Sequence, residues 1–142
     1  MRPIKILVVD DFEQFRRFVC ALLTPKTEFE VTEASDGLEA VQRADELQPD
    51  LIVLDIALPS LNGLEVARRV REFAPRTKIL FLSAESSPDV VGEALRLGAL
   101  GYVHKPELQT HLVPAMEAVF KGELFVSRDL KLNGMSDANP FG

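Results

Sequence analysis

Apolar residues along this chain fall into short unbroken runs, separated by longer stretches of helical spacing. The densest run is Leu51-Ile-Val-Leu54, set between Pro49-Asp50 and Asp55. Four apolar residues bounded by turn formers suit a strand covered on both faces, as in a parallel sheet. Ile4 to Val9 and Lys78 to Ser83 repeat the pattern, and Leu100 to His104 gives a shorter version. Phe29 to Ala34 alternates instead, with Phe29 and Val31 apolar, and reads as a more polar strand at a sheet edge.

The intervening stretches predict helices. Phe15, Phe18, Val19, Leu22 and Leu23 recur at helical spacing from about Phe12 to Leu23, and Pro25 stops that helix. Asp36-Gly-Leu-Glu39 has the form of a helix cap with a carboxylate three residues on. The second helix then runs to about Leu47, with Leu38, Val41, Ala44 and Leu47 as its inner stripe. Asn62-Gly-Leu-Glu65 opens a third, carrying Leu64, Val66, Ala67, Val70 and Phe73, and Pro75 ends it. Ser87-Pro88-Asp89 opens a fourth with a capping hydroxyl and a proline at the first helical position, and Gly98 closes it. The fifth is predicted to begin near Thr110, because Pro114 lacks an N–H and fits within a first turn. Leu112, Met116, Val119 and Phe120 supply its inner stripe.

Strand and helix alternate five times. The predicted fold is therefore α/β: a doubly wound, five-stranded parallel sheet of order 2-1-3-4-5 with helices on both faces. Sheets of this kind bind ligands beyond the carboxyl ends of the strands, at the point where strand order reverses. Here that point lies between the first and third strands, which end in Asp10-Asp11 and Asp55. The same edge receives Ser83 from the fourth strand and Lys105 from the fifth.

Each of these residues has a local explanation. Asp11 with Gln14 forms a possible capping box, Asp10 and Asp55 suit turns, Ser83 suits a loop hydrogen bond, and Lys105 suits solvent. Their convergence points elsewhere. Three carboxylates at adjacent strand ends repel one another and need a cation or protons to coexist. Mg²⁺ fits, being hard, oxygen-seeking and prone to keep several waters. Asp11 and Asp55 are the expected direct ligands, the carbonyl of Ala57 a third, and Asp10 a ligand directly or through water. An aspartate in such a site can attack phosphorus as a nucleophile. Lys105 and the metal would neutralise the transferring group, with Ser83 donating a hydrogen bond and small Ala84 leaving room.

Composition narrows the partners. With 142 residues the chain is long enough for one domain with a real core. Its net charge of −6 argues against a dedicated nucleic-acid binder, so no direct nucleic-acid binding by this chain is expected. Cys20 is the single cysteine and reads as a small buried hydrophobe. With no internal disulfide possible, a reducing cytoplasm is the expected compartment. No segment approaches the roughly 20 apolar residues of a membrane span. His104 and His111 have no metal-like partners in the pattern.

The ordered set of motifs resembles the receiver domain of two-component response regulators. It comprises Ile4-Lys-Ile-Leu-Val-Val-Asp10-Asp11, Asp50-Leu-Ile-Val-Leu-Asp55-Ile-Ala-Leu-Pro59, Asn62-Gly-Leu-Glu65, Leu82-Ser83-Ala84 and Gly98-Ala-Leu-Gly-Tyr102-Val-His-Lys105-Pro106. The wording of Asn62 to Arg71 and Gly98 to Lys105 is similar to receivers of the LuxR/NarL/FixJ type. The resemblance covers about residues 4–121 and implies a flavodoxin-like fold. It further implies that Asp55 accepts phosphate from a sensor histidine kinase and that Asp10 and Asp11 hold Mg²⁺. Ser83 and Tyr102 would be the switch pair, Lys105 would contact the phosphate, and the Lys105–Pro106 bond would be cis. Read from the residues alone, Tyr102 suits either a surface position or a buried one with a partner for its hydroxyl. The resemblance also implies an output face over about Pro88 to Lys121. Ala57 and Glu85 occupy positions that vary among receivers and tune phosphoryl lifetime.

The implied organisation is a receiver over residues 1–122 and a linker-like, flexible tail over 123–142. Glu123 to Leu130 resembles the approach to a LuxR-type DNA-binding domain. The chain is expected to be either a stand-alone receiver or a fragment lacking an output domain. A downstream protein or a homodimer formed on phosphorylation belongs to the same picture. Catalysis would be confined to the protein's own phosphorylation and dephosphorylation. Two other classes compete. One is a receiver-like interaction module that is never phosphorylated. The other is a doubly wound enzyme, either flavodoxin-like or a phosphatase. Asp10-Asp11-Phe12-Glu13 would repel a flavin phosphate, and a phosphatase of the haloacid-dehalogenase type would want Asp-x-Asp there.

Overall fold

A computed structural model describes residues 2–127 and 130 of the chain. The strands are β1 (Ile4–Val9), β2 (Phe29–Ala34), β3 (Leu51–Leu54), β4 (Lys78–Ser83), β5 (Gly101–His104) and β6 (Phe125–Val126). The helices are α1 (Glu13–Leu23), α2 (Gly37–Leu47), α3 (Gly63–Phe73), α4 (Pro88–Arg96) and α5 (Leu108–Phe120). The sheet order is β2-β1-β3-β4-β5-β6, and every pairing is parallel. The predicted order 2-1-3-4-5 is present, with β2 at one edge. At the other edge the structure adds a sixth strand that the hydrophobic pattern does not announce.

Side-chain alternation divides the core into two. Leu7, Val9, Ile52, Leu54, Ile79, Phe81 and Tyr102 pack on the face covered by α2, α3 and α4. Ile6, Val8, Leu51, Val53, Leu80, Leu82 and Val103 pack on the face covered by α1 and α5. With both faces covered, all four residues of β3 are buried, which is why that strand is apolar throughout.

Helix starts follow the sequence signals at two places. The Asp36 side chain accepts the Glu39 N–H at 2.9 Å, and that of Asn62 accepts the Glu65 N–H at 3.0 Å. Elsewhere the structure departs from expectation. Phe12 is the residue that caps α1 and makes no side-chain cap bond, so Asp11 and Gln14 form no capping box. In α2 the buried stripe is Gly37, Ala40 and Ala44, whereas Leu38 is 55% exposed. Gly37 sets that rotation, because a Cβ there would stand 1.9 Å from the Leu61 carbonyl oxygen. The backbone can approach Leu61 only with glycine facing it.

The segment after β5 departs most. A short 3₁₀ turn, Lys105–Glu107, leads straight into α5 at Leu108, so Pro114 lies inside the helix rather than in its first turn. Leu108 and Leu112 are both buried, and seating them starts the helix early. There is no cis peptide bond among the described residues, so the Lys105–Pro106 bond is trans, correcting the expectation. Trans is favoured for X–Pro by about 0.5–1 kcal/mol unless packing opposes it. The flexible tail expected over 123–142 contains β6, and its residues 128, 129 and 131–142 lie outside the described residues.

Candidate functional site

Register alone places two of the acids side by side. Val9 is level with Leu54 in the β1–β3 pair, so the next residues, Asp10 and Asp55, emerge together from neighbouring strand ends. The Asp55 N–H donates to the Val9 carbonyl at 3.1 Å, which locks that alignment. Asp11 follows into the loop and is exposed, while Asp10 is 3% and Asp55 4% exposed. Carboxylate oxygens of Asp10, Asp11 and Asp55 all lie within 4.8 Å of one another. Gly63 keeps the third helix close beneath them, because a Cβ there would stand 2.0 Å from the Asp55 carbonyl oxygen.

The two buried carboxylates are used alike. Each turns Oδ1 to a local backbone N–H: Asp10 to Phe12 at 2.9 Å, and Asp55 to Ile56 at 2.7 Å. Each turns Oδ2 to the Lys105 ammonium, at 2.8 Å for Asp10 and 3.1 Å for Asp55. Lys105 starts from β5, two strands from β3, a span of about 9–10 Å between strand axes. Its four-carbon stem and the two aspartate side chains together close that span.

Charge in this cluster is unbalanced. Burial raises the Asp10 pKa, opposed by the Lys105 and Phe12 hydrogen bonds and reinforced by the Asp55 charge. Burial works to lower the Lys105 pKa, but its hydrogen bond to Asp10 and the charges of Asp55 and Asp10 outweigh it, leaving the value raised. One ammonium therefore stands against three carboxyl groups. The donors are all oxygens, they converge, and one side is open, which fits a hard divalent cation.

Ser83 and Tyr102 line the β4–β5 side. Ser83 is buried, and its hydroxyl accepts the Glu85 N–H at 3.1 Å. Of the two positions open to Tyr102, the structure shows the buried one. Its ring is fully buried beside Phe81 with centroids 5.9 Å apart, and its hydroxyl donates to the Glu85 carbonyl at 2.7 Å. Burial raises the pKa of that hydroxyl, so it remains protonated as a donor at neutral pH. A cavity of about 490 Å³ opens over the site, lined by Asp10, Asp11, Phe12, Asp55, Ala57, Ser83, Ala84, Glu85, Ser86 and Lys105. All the predicted site residues except Tyr102 thus face one space, and Tyr102 reaches it through Glu85. A smaller apolar hollow of about 210 Å³ between α1, β2 and α5 holds Lys26, Glu28 and Glu117 without such convergence.

The response regulator receiver domain family matches residues 6–117. The chain belongs to that family. A receiver-type relative, chemotaxis protein CheY of Listeria monocytogenes, is 34% identical over 119 residues, covering 83% of this chain and 99% of the relative. The transcriptional regulatory protein DegU of Brevibacillus brevis is 34% identical over 124 residues, covering 87% of this chain but 52% of DegU. Among solved structures, a LuxR-family two-component response regulator from Aurantimonas superposes with a TM-score of 0.84 at 31% identity, covering 90% of this chain and 92% of that one.

In this receiver, three contributors to the site escape sequence reasoning. Arg16 donates to the Asp10 carbonyl at 2.9 Å while pairing with Glu33 of β2 at 2.7 Å. The main chain of Glu85 serves both switch candidates, so its residue type says nothing about the role. Phe15 shows itself in the sequence only as a core position at helical spacing, yet its ring lies 4.4 Å from the Lys105 ammonium.

Proposed function

We propose that this receiver accepts a phosphoryl group on Asp55 from the phosphohistidine of a sensor histidine kinase. The observation that carries this reading is the convergence of Asp10, Asp11 and Asp55 under one cavity with Lys105 bonded to two of them. An Asp55 carboxylate oxygen attacks phosphorus, the P–N bond breaks, and the imidazole leaves with the electron pair and takes up a proton. Water attack on the phosphoryl group later restores the carboxylate, so the chemistry stays on the protein's own residue.

Asp10, Asp11, Asp55 and the carbonyl of Ala57 are the groups that would hold Mg²⁺. When bound, the ion supplies positive charge against the carboxylates and the phosphoryl oxygens. Lys105 turns its ammonium from the Asp55 carboxylate to a phosphoryl oxygen. Those oxygens also attract the Ser83 hydroxyl, in competition with the Glu85 N–H. Movement of Ser83 shifts the loop to which Tyr102 is bonded, and the two arrangements present different α4–β5–α5 faces to a downstream partner. Residues 1–122 form the signalling unit in this reading, with the following segment leading toward an output domain, and the compartment is the cytoplasm. Phosphorylation would also favour a homodimer.

A small-molecule phosphodonor with Mg²⁺ is expected to label the protein at one site, and Asp55→Asn to abolish the label. Labelling of the variant at the wild-type level would sink the proposal.

A further inference from the structure

Lys105 is held from three sides. Its ammonium lies 2.8 Å from Asp10 Oδ2, 3.1 Å from Asp55 Oδ2 and 4.4 Å from the centroid of the Phe15 ring. An ammonium within about 6 Å of a ring centroid is attracted by the negative face of the ring, most strongly where water is kept away. Phe15 sits in the first turn of α1 and packs, half-buried, against the core beneath the sheet. It is therefore fixed by a different element from the one that carries Lys105.

The three contacts differ in one respect. The bonds to Asp10 and Asp55 depend on the charge of the carboxylates, and that of Asp55 changes when it takes up a phosphoryl group. The ring contact does not. A lysine stem carries about 2 kcal/mol of rotamer entropy, so an ammonium passing from the Asp55 carboxylate to a phosphoryl oxygen keeps its place more readily when a neighbour unchanged by the transfer also holds it. The Phe15 ring is such a neighbour, standing over the ammonium from the α1 side.

We propose that Phe15 is a positioning residue for phosphoryl transfer, its ring holding the Lys105 ammonium over Asp55 before and after the transfer. This rests on Asp55 being the phospho-acceptor. The competing explanation is that Phe15 only fills core space, and an aliphatic residue of similar volume would then serve equally well.

The test compares Phe15→Leu, Phe15→Met and Phe15→Tyr in the full chain. Thermal unfolding checks that each folds, and Phe15→Met stands in if Phe15→Leu does not. Proton NMR without metal or phosphodonor reads the contact directly. The Lys105 ε-methylene protons are expected to be shifted upfield by the ring in wild type and Phe15→Tyr, and not in the aliphatic variants. Labelling by acetyl phosphate with Mg²⁺ at saturating donor is expected to slow about three- to tenfold in the aliphatic variants, the range of a partly desolvated cation–π contact. Phe15→Tyr is expected to stay within about twofold of wild type. In a Lys105→Ala background, Phe15→Leu is expected to change the rate no further, as required if the ring acts through that ammonium. An unchanged rate in the aliphatic variants, or an equal loss with and without Lys105, overturns the proposal. Absence of any label on wild type instead overturns the phospho-acceptor reading itself, and the NMR shift then still reports whether the ring holds the lysine.

Discussion

Asp50 and Asp55 bracket the same strand and serve opposite ends of the sheet. Asp55 faces the cavity, whereas Asp50 accepts the Lys5 N–H at 2.8 Å and pairs with Arg2 at 2.6 Å. Its carboxyl is held below the usual range, first by the Arg2 hydrogen bond, against burial that pushes it up, with the Lys5 N–H a lesser lowering influence. A carboxyl depressed on folding adds stability above its unfolded value, near about 3.9, and loses it as pH falls through the folded value. The Arg2 side chain is 69% exposed, so solvent screens its contribution, whereas the Lys5 N–H bond is part-buried. Asp50→Ala is therefore expected to cost about 1–2 kcal/mol at pH 7. Urea unfolding measures this, and the difference from wild type should shrink as pH falls through the folded-state value of the Asp50 carboxyl. A cost that persisted in acid would show that the carboxylate charge is not its source.

Helix α5 shows packing overriding a local preference. Pro114 removes one intrahelical bond, the one that would run to the Thr110 carbonyl, and it lies on the exposed side of the helix. Water can reach a carbonyl on that side, which lowers the penalty. The helix is retained because Leu108, Leu112, Ala115, Met116 and Val119 are buried along its other face. Pro114→Ala is expected to stabilise the protein by about 1–3 kcal/mol, the restored bond being offset in part by a more flexible unfolded chain. A lower denaturation midpoint for the variant would show that the proline is needed where it stands.

At the scale of the molecule, the segment after α5 closes the sheet edge beside the proposed output face. The Phe125 N–H donates to the Leu100 carbonyl and the Ser127 N–H to the Tyr102 carbonyl, each at 2.9 Å. The buried Ser127 hydroxyl accepts the His104 N–H at 3.0 Å and lies 2.9 Å from His111 Nδ1. The His111 ring meets Phe125 edge-on at 5.6 Å. The His111 side chain and the His104 main chain thus hold this segment in place. Ser127→Ala leaves the His104 N–H without its acceptor and is expected to cost about 1–2 kcal/mol in denaturant unfolding. Faster hydrogen exchange at the His104 amide would accompany it. An unchanged exchange rate would mean that water replaces the hydroxyl without loss.

Much of this was legible in the sequence because its causes are local or periodic. Strand cores must be apolar when both faces are covered, so β1, β3, β4 and β5 stand out in one dimension. Strand ends at a switch point lie together in any sheet of this order, so Asp10, Asp55, Ser83 and Lys105 could be grouped before any distance was known. Contacts between elements decided the rest. Gly37 against Leu61 rotates α2 away from Leu38, and the burial of Leu108 starts α5 ahead of Pro114. The ring of Phe15 meets Lys105 only because α1 begins at the edge of the sheet where β5 ends. A two-residue strand such as β6 has too short a pattern to announce itself, and it exists because β5 offers it an unpaired edge.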